Sequence, residues 1–111
     1  MASVFDRIAN RKAFPVEMNG GTIYVCEPTF KQVKQVQKLD GDQATGLALA
    51  CCVVNADCSP VFTREAGETD EALAERVLEE ASVLTPSEMQ TINAAIFKLI
   101  SPAKQDELTK N

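Results

Sequence analysis

Histidine and tryptophan are both missing from this chain of 111 residues, and there is a single tyrosine. Without histidine the commonest general base and neutral-pH metal ligand is gone, and with it Ser-His-Asp and Cys-His catalysis in their usual forms. No Gly-rich phosphate loop is present either. Gly20-Gly21 stands between two strand-like segments, and neither a Walker-type loop nor a dinucleotide fingerprint follows. No stretch supplies the apolar run of a signal peptide or membrane helix, so the expectation is a cytoplasmic protein that makes no membrane contact. In a reducing compartment the four cysteines are expected as free thiols. Cys26, Cys51, Cys52 and Cys58 lack the two short ligand pairs of a structural zinc site, and adjacent Cys51 and Cys52 on a helix point about 100° apart. These absences remove most enzyme templates, and the sequence reads as non-catalytic, with no cofactor and no metal.

What is present is an ordinary globular composition: 45% apolar and 24% charged residues, with five Gly and five Pro. A chain of this length makes one compact domain. We expect it over 1–102, followed by a polar, flexible tail over 103–111. The net charge of -5 is unevenly spread. Residues 1–40 carry six basic and four acidic side chains, 41–84 two and nine, and 85–111 three of each. An acidic middle repels a phosphate backbone, which makes nucleic acid a poor partner.

Local patterning predicts the elements. Ser3, with Asp6 three residues on, can cap a short helix that carries Val4, Phe5 and Ile8 on one side. Residues 13–18 and 22–26 flank Asn19-Gly20-Gly21 and read as a β-hairpin whose turn demands positive φ. Pro15 lacks an amide donor, so its strand belongs at a sheet edge or starts after it. Pro28 suits the first turn of a helix that directs Phe30, Val33, Val36 and Leu39 inward and ends at Asp40-Gly41.

The next predicted helix, 43–54, opens at Asp42 and is apolar almost all round, which makes it the centre of the core. Its Gly46 and Ala50 let neighbours approach closely. After a turn over 55–60, Val61-Phe62 reads as a short extended segment. Thr69, Asp70 and Glu71 open an amphipathic helix with Leu73, Ala74, Val77, Leu78 and Ala81 inward. Thr85-Pro86-Ser87-Glu88 is a capping box that starts a last helix running to Ser101-Pro102. The predicted fold class is mainly α (α+β), an N-terminal β-hairpin followed by a compact bundle of about four helices.

Three surfaces are candidates for partner binding. The last helix has a broad apolar side, Met89, Ile92, Ile96, Phe97 and Leu99, in a domain with limited core to offer. Glu71, Glu75 and Glu79 form an acidic row at i, i+4 and i+8, and Lys31, Lys34 and Lys38 a basic stripe. Both charged rows are ordinary solvated helix faces or else docking surfaces, and the two could pair across subunits in a self-associating protein.

The element order also resembles a known family. A short N-terminal helix leads into a hairpin that continues as Tyr24-Val25-Cys26-Glu27-Pro28-Thr29-Phe30, and a small-residue helix ends Leu49-Ala50-Cys51-Cys52-Val53-Val54-Asn55-Ala56-Asp57. Then come Pro60-Val61-Phe62, an acidic loop, and Leu84-Thr85-Pro86 before a closing amphipathic helix. Over residues 4–100 this resembles the tail assembly chaperones of long-tailed bacteriophages. The resemblance implies a non-catalytic protein of the host cytoplasm that coats the tape-measure protein, recruits tail tube subunits, self-associates, and is absent from the mature virion. Two alternatives stay open on the sequence: a structural virion component, such as a tail or head-tail connector subunit, and a small regulatory adaptor.

Overall fold

A computed structural model describes residues 11–100. The helix predicted over 3–8 and the tail over 103–111 lie outside the described residues. Strands β1 (Ala13–Met18) and β2 (Gly21–Cys26) pair antiparallel, with Phe14 opposite Val25 and Val16 opposite Ile23. The Asn19-Gly20 turn needs less positive φ than its sequence allows. Neither turn residue has positive φ, and the left-handed excursion falls on Gly21 at +149°. A third strand, β3 (Val53–Val54), joins β2 through Tyr24↔Val54 and Val25↔Val53, giving the order β1-β2-β3. Pro15 therefore sits in an edge strand, where a missing ladder donor is tolerated.

Among the described residues four helices complete the fold: α1 (Phe30–Gln37), α2 (Gly41–Cys52), α3 (Asp70–Ala81) and α4 (Pro86–Ile100). The architecture is the predicted one, a β-hairpin followed by four helices, with β3 as an added strand. Three boundaries differ, each for a local reason. Helix α1 is capped by Thr29, not opened by Pro28. The Thr29 hydroxyl accepts from Gln32 N at 3.2 Å while Gln32 Oε1 accepts from Thr29 N at 2.9 Å, a reciprocal capping box.

Helix α2 starts two residues before the predicted 43–54, with Asp40 at its N-cap, and Gly41 takes the left-handed φ of +56° expected at the joint between helices. It also ends two residues early, because β-branched Val53 and Val54 leave the helix to extend the sheet.

The core is aliphatic. Val25 of the sheet, Leu47, Leu49, Ala50 and Cys52 of α2, Leu73, Ala74, Val77 and Ala81 of α3, and Ile92 and Ile96 of α4 form one buried cluster. Its centre is α2, as its all-round apolar sequence requires. The most extensive contact between elements is α2 against α3, and Gly46 makes it possible. A Cβ there would meet the Ala74 carbonyl group, its carbon at 2.9 Å, and Leu78 Cγ at 2.9 Å. Helix α1 lies outside this cluster and has no fully buried residue.

Candidate interaction surface

The residues singled out from the sequence separate into buried and presented groups. On α4, Ile92 and Ile96 are each 4% exposed and belong to the core, while Met89 and Leu99 are half-buried against it. The expected broad docking side is thus corrected: α4 uses that side to close the domain, laying its i, i+4 isoleucines into the buried cluster where it crosses β1 and β2. Only Phe97, 60% exposed, is presented to solvent, among exposed Asn93, Ala94 and Lys98.

The acidic row Glu71, Glu75 and Glu79 is exposed along α3, and Glu75 Oε1 accepts a hydrogen bond from Gln43 Nε2 at 3.4 Å. Lys31, Lys34 and Lys38 are exposed on α1 and its C-cap. A second correction concerns Phe30. Expected inward, it is 76% exposed at the first helical position, and Lys34 Nζ lies 5.2 Å from its ring centroid. Starting the helix at Phe30 turns Val33 and Val36, on the remaining apolar side, toward the domain and leaves the phenylalanine beside the lysines.

One concave surface was not legible in the sequence, because it is assembled from segments distant along the chain. A groove of about 600 Å³ runs between the hairpin turn, β3, the Val61-Phe62 segment and the turn joining α3 to α4. Its apolar walls include Met18, Ile23, Val53, Phe62, Val83 and Leu84. The charged residues in its lining are Glu80 and Glu88, and both are acidic. Val83 stands at its edge with 85% of its surface exposed. No residue of α1 lines it. Glu88 also closes the capping box of α4, accepting from Thr85 N at 2.8 Å while its own N–H donates to Thr85 Oγ1 at 3.2 Å.

The segment forming one wall is pinned to α3 by an ion network. Arg76 holds the Glu68 carboxylate with two nitrogens and donates to Thr63 O at 2.7 Å. Arg64 pairs with Asp70 at 2.6 Å and donates to Glu68 O at 3.0 Å. The Arg76 hydrogen bonds, aided by the Glu65 N–H, hold the Glu68 carboxyl down at about 2, and Glu68 in turn raises Arg76 above its ordinary value.

A smaller cleft of about 220 Å³ shares Val54 and Phe62 with the groove and is lined by Arg11, Cys51, Cys58 and Arg64. Arg11 donates to Cys26 Sγ, to Glu27 O at 3.0 Å and to Cys51 O at 3.3 Å, while the Cys58 thiol donates to Arg11 O at 3.4 Å. Burial pushes the Cys26, Cys51 and Cys52 thiols up, Cys52 to about 12, with Arg11 as the opposing cation. Protonated thiols of this kind pack and hydrogen-bond but do not attack. All four cysteines are free. Among the described residues no group of three or more Cys, Asp or Glu side chains is placed to hold a metal ion, and no helix is long and apolar enough to cross a membrane.

No protein-family model, no curated protein and no solved structure matches this chain.

Proposed function

We propose that this chain is a non-catalytic tail assembly chaperone of a long-tailed bacteriophage: it binds apolar helical stretches of the tape-measure protein in the host cytoplasm, keeps them from aggregating, recruits tail tube subunits, and leaves before the virion is complete. The observation that carries this reading is where the phenylalanines stand. Among the described residues the fully buried core contains no aromatic side chain and Phe62 packs half-buried against it, while Phe14, Phe30 and Phe97 are 40%, 76% and 60% exposed on three different elements. Aromatic rings bury more area than any aliphatic side chain and anchor interfaces. A domain whose fully buried residues are aliphatic side chains and cysteines, and which presents three phenylalanines outward, has large anchors to offer other chains.

The chemistry of the side chains points the same way. With no histidine in the sequence and three thiols raised by burial, the chain has groups for packing and ion pairing and few for acid–base or nucleophilic work. Several separate anchors suit a protein that must hold a client, contact further copies of itself and pass a tube subunit on.

Co-expression with a tape-measure fragment tests the reading. The fragment is expected in the soluble fraction with the chain present and in the pellet without it, and a Phe97→Ala variant should lower the soluble share. A fragment that precipitates equally in both cases rejects the chaperone. Finding the chain in purified virions would make it a structural component of the particle.

A further inference from the structure

The groove and α1 carry opposite charge beside apolar surface, and they lie on one chain. Helix α1 and its cap, Phe30 to Lys38, contain three lysines and no acidic residue. At about 100° per residue, Lys31, Lys34 and Lys38 fall within a sector of about 60°, with Phe30 at its border. That sector is exposed, while Val36 and Leu39 pack against the core from the other side. The groove presents the reverse: apolar walls with Glu80 and Glu88 as the charged groups of its lining, and the freely exposed Val83 at its edge. A helix of eight residues is about 12 Å long, and the one or two turns that carry Phe30, Lys31 and Lys34 are shorter still.

We propose that the groove is the docking site for α1 of a second copy of this chain. Phe30 of one copy enters the apolar groove of the next against Val83 and Leu84, and Lys31 and Lys34 meet Glu80 and Glu88. The ring now shielded only by Lys34 is desolvated, as an interface anchor requires. Because the groove is built without α1, the donor and acceptor surfaces are different patches, and each copy carries one of each. Two copies that exchange both contacts make a dimer, and copies that pass the contact on make a ring or a filament. The proposal stands on these two surfaces alone and is independent of what the client of the chain is.

Complementation of two defective surfaces tests it. Phe30→Glu destroys the donor and Val83→Glu the acceptor, and both side chains are exposed, so folding is spared; circular dichroism checks this. Wild-type protein at low salt and millimolar concentration is expected to reach the mass of two copies or more, and to shrink with added salt as the Lys–Glu attraction is screened. Each variant alone is expected to stay at the 12.0 kDa of one chain. Mixed in equal amounts, they should give a species of two copies and no more, because one usable α1 and one usable groove remain.

Charge reversal gives a second readout. Lys34→Glu and Glu80→Lys should each weaken assembly by about tenfold or more, corresponding to about 1.4 kcal/mol, and should restore it when combined. A monomeric wild type overturns the proposal, whether the groove is then covered by another part of the same chain or binds a foreign helix. A mixture that stays monomeric overturns it equally.

Discussion

Arg76 grips Glu68 with two parallel hydrogen bonds, Nε to Oε2 at 2.9 Å and Nη2 to Oε1 at 2.8 Å, and reaches past it to the Thr63 carbonyl. One guanidinium thereby fixes the loop beginning at Val61, which forms a wall of the groove, to the middle of α3. Glu68 binds its proton at about 2 in the fold against an ordinary value of 4.5. Between these values the unfolded chain takes up a proton that the native carboxylate refuses, so falling pH favours the open loop. The contribution is complete above about pH 5 and is lost as pH drops through 2. Amide exchange over 63–69 should quicken through that interval in the wild type, and should already be fast at neutral pH in Glu68→Gln, with the α2 amides unaffected. Equal protection of the loop in variant and wild type would show that the ion network does not hold the wall.

Gly46 is a second fixed point. The carbonyl it would strike belongs to the backbone of α3, which cannot rotate aside as a side chain can. Gly46→Ala must push α2 and α3 apart, and overpacking of this kind costs about 1–3 kcal/mol despite the better helix propensity of alanine. Gly20→Ala is the control. Its Cβ meets nothing within 4 Å and its φ is not positive. Thermal unfolding should show a drop of several degrees for the first variant and almost no change for the second. A Gly46→Ala protein as stable as the wild type would mean that the two helices are not locked by this contact.

Cys52 supplies a chemical test of the core. Its thiol is 1% exposed, and burial raises it from 9.0 to about 12. At pH 8 that shift lowers the thiolate fraction about a thousandfold. Iodoacetamide applied to native protein should leave Cys52 unmodified in peptide mass spectra, and the unfolded chain should be labelled at all four cysteines. Labelling of native Cys52 at the unfolded rate would place it outside the core.

The elements that were legible in the sequence are those whose signals are local. Alternating Val16, Ile23 and Val25 around Asn19-Gly20 gave the hairpin, and Thr85-Pro86-Ser87-Glu88 gave the start of α4. Thr29 and Gln32 carried an equally local capping signal, but Pro28 beside them suggested a start one residue earlier and turned Phe30 toward the core. Val53 and Val54 continue an apolar helical run, and only their pairing with Tyr24 and Val25, nearly thirty residues away, makes them a strand. The same non-local assembly hid the groove, whose walls come from the hairpin turn, β3, Phe62 and the α3–α4 turn. The periodicity of α4 marks an apolar side, yet periodicity alone does not say whether an apolar side is covered. Ile92 and Ile96 are covered, and Phe97, one residue on, is not.

Cys58 offers the last prediction. It has φ of +72°, the left-handed region, and closes the 55–59 turn by donating its N–H to Asn55 O at 2.9 Å, while Asn55 N donates to Ser59 O at 2.8 Å. For a residue with a Cβ this conformation costs about 1–2 kcal/mol relative to glycine. The side chain recovers part of that through its thiol bond to Arg11 O at 3.4 Å, a weak sulfur contact. Cys58→Ala removes the bond and keeps the strain, so it should lower stability. Cys58→Gly removes both, and the larger entropy of its unfolded chain offsets about 0.4–1 kcal/mol of the relief. The glycine variant should therefore be more stable than the alanine variant by up to about 1 kcal/mol, an order opposite to that seen at positions of ordinary φ. Denaturant midpoints for the pair decide it, and an alanine variant at or above the glycine variant would show that the turn relaxes without cost.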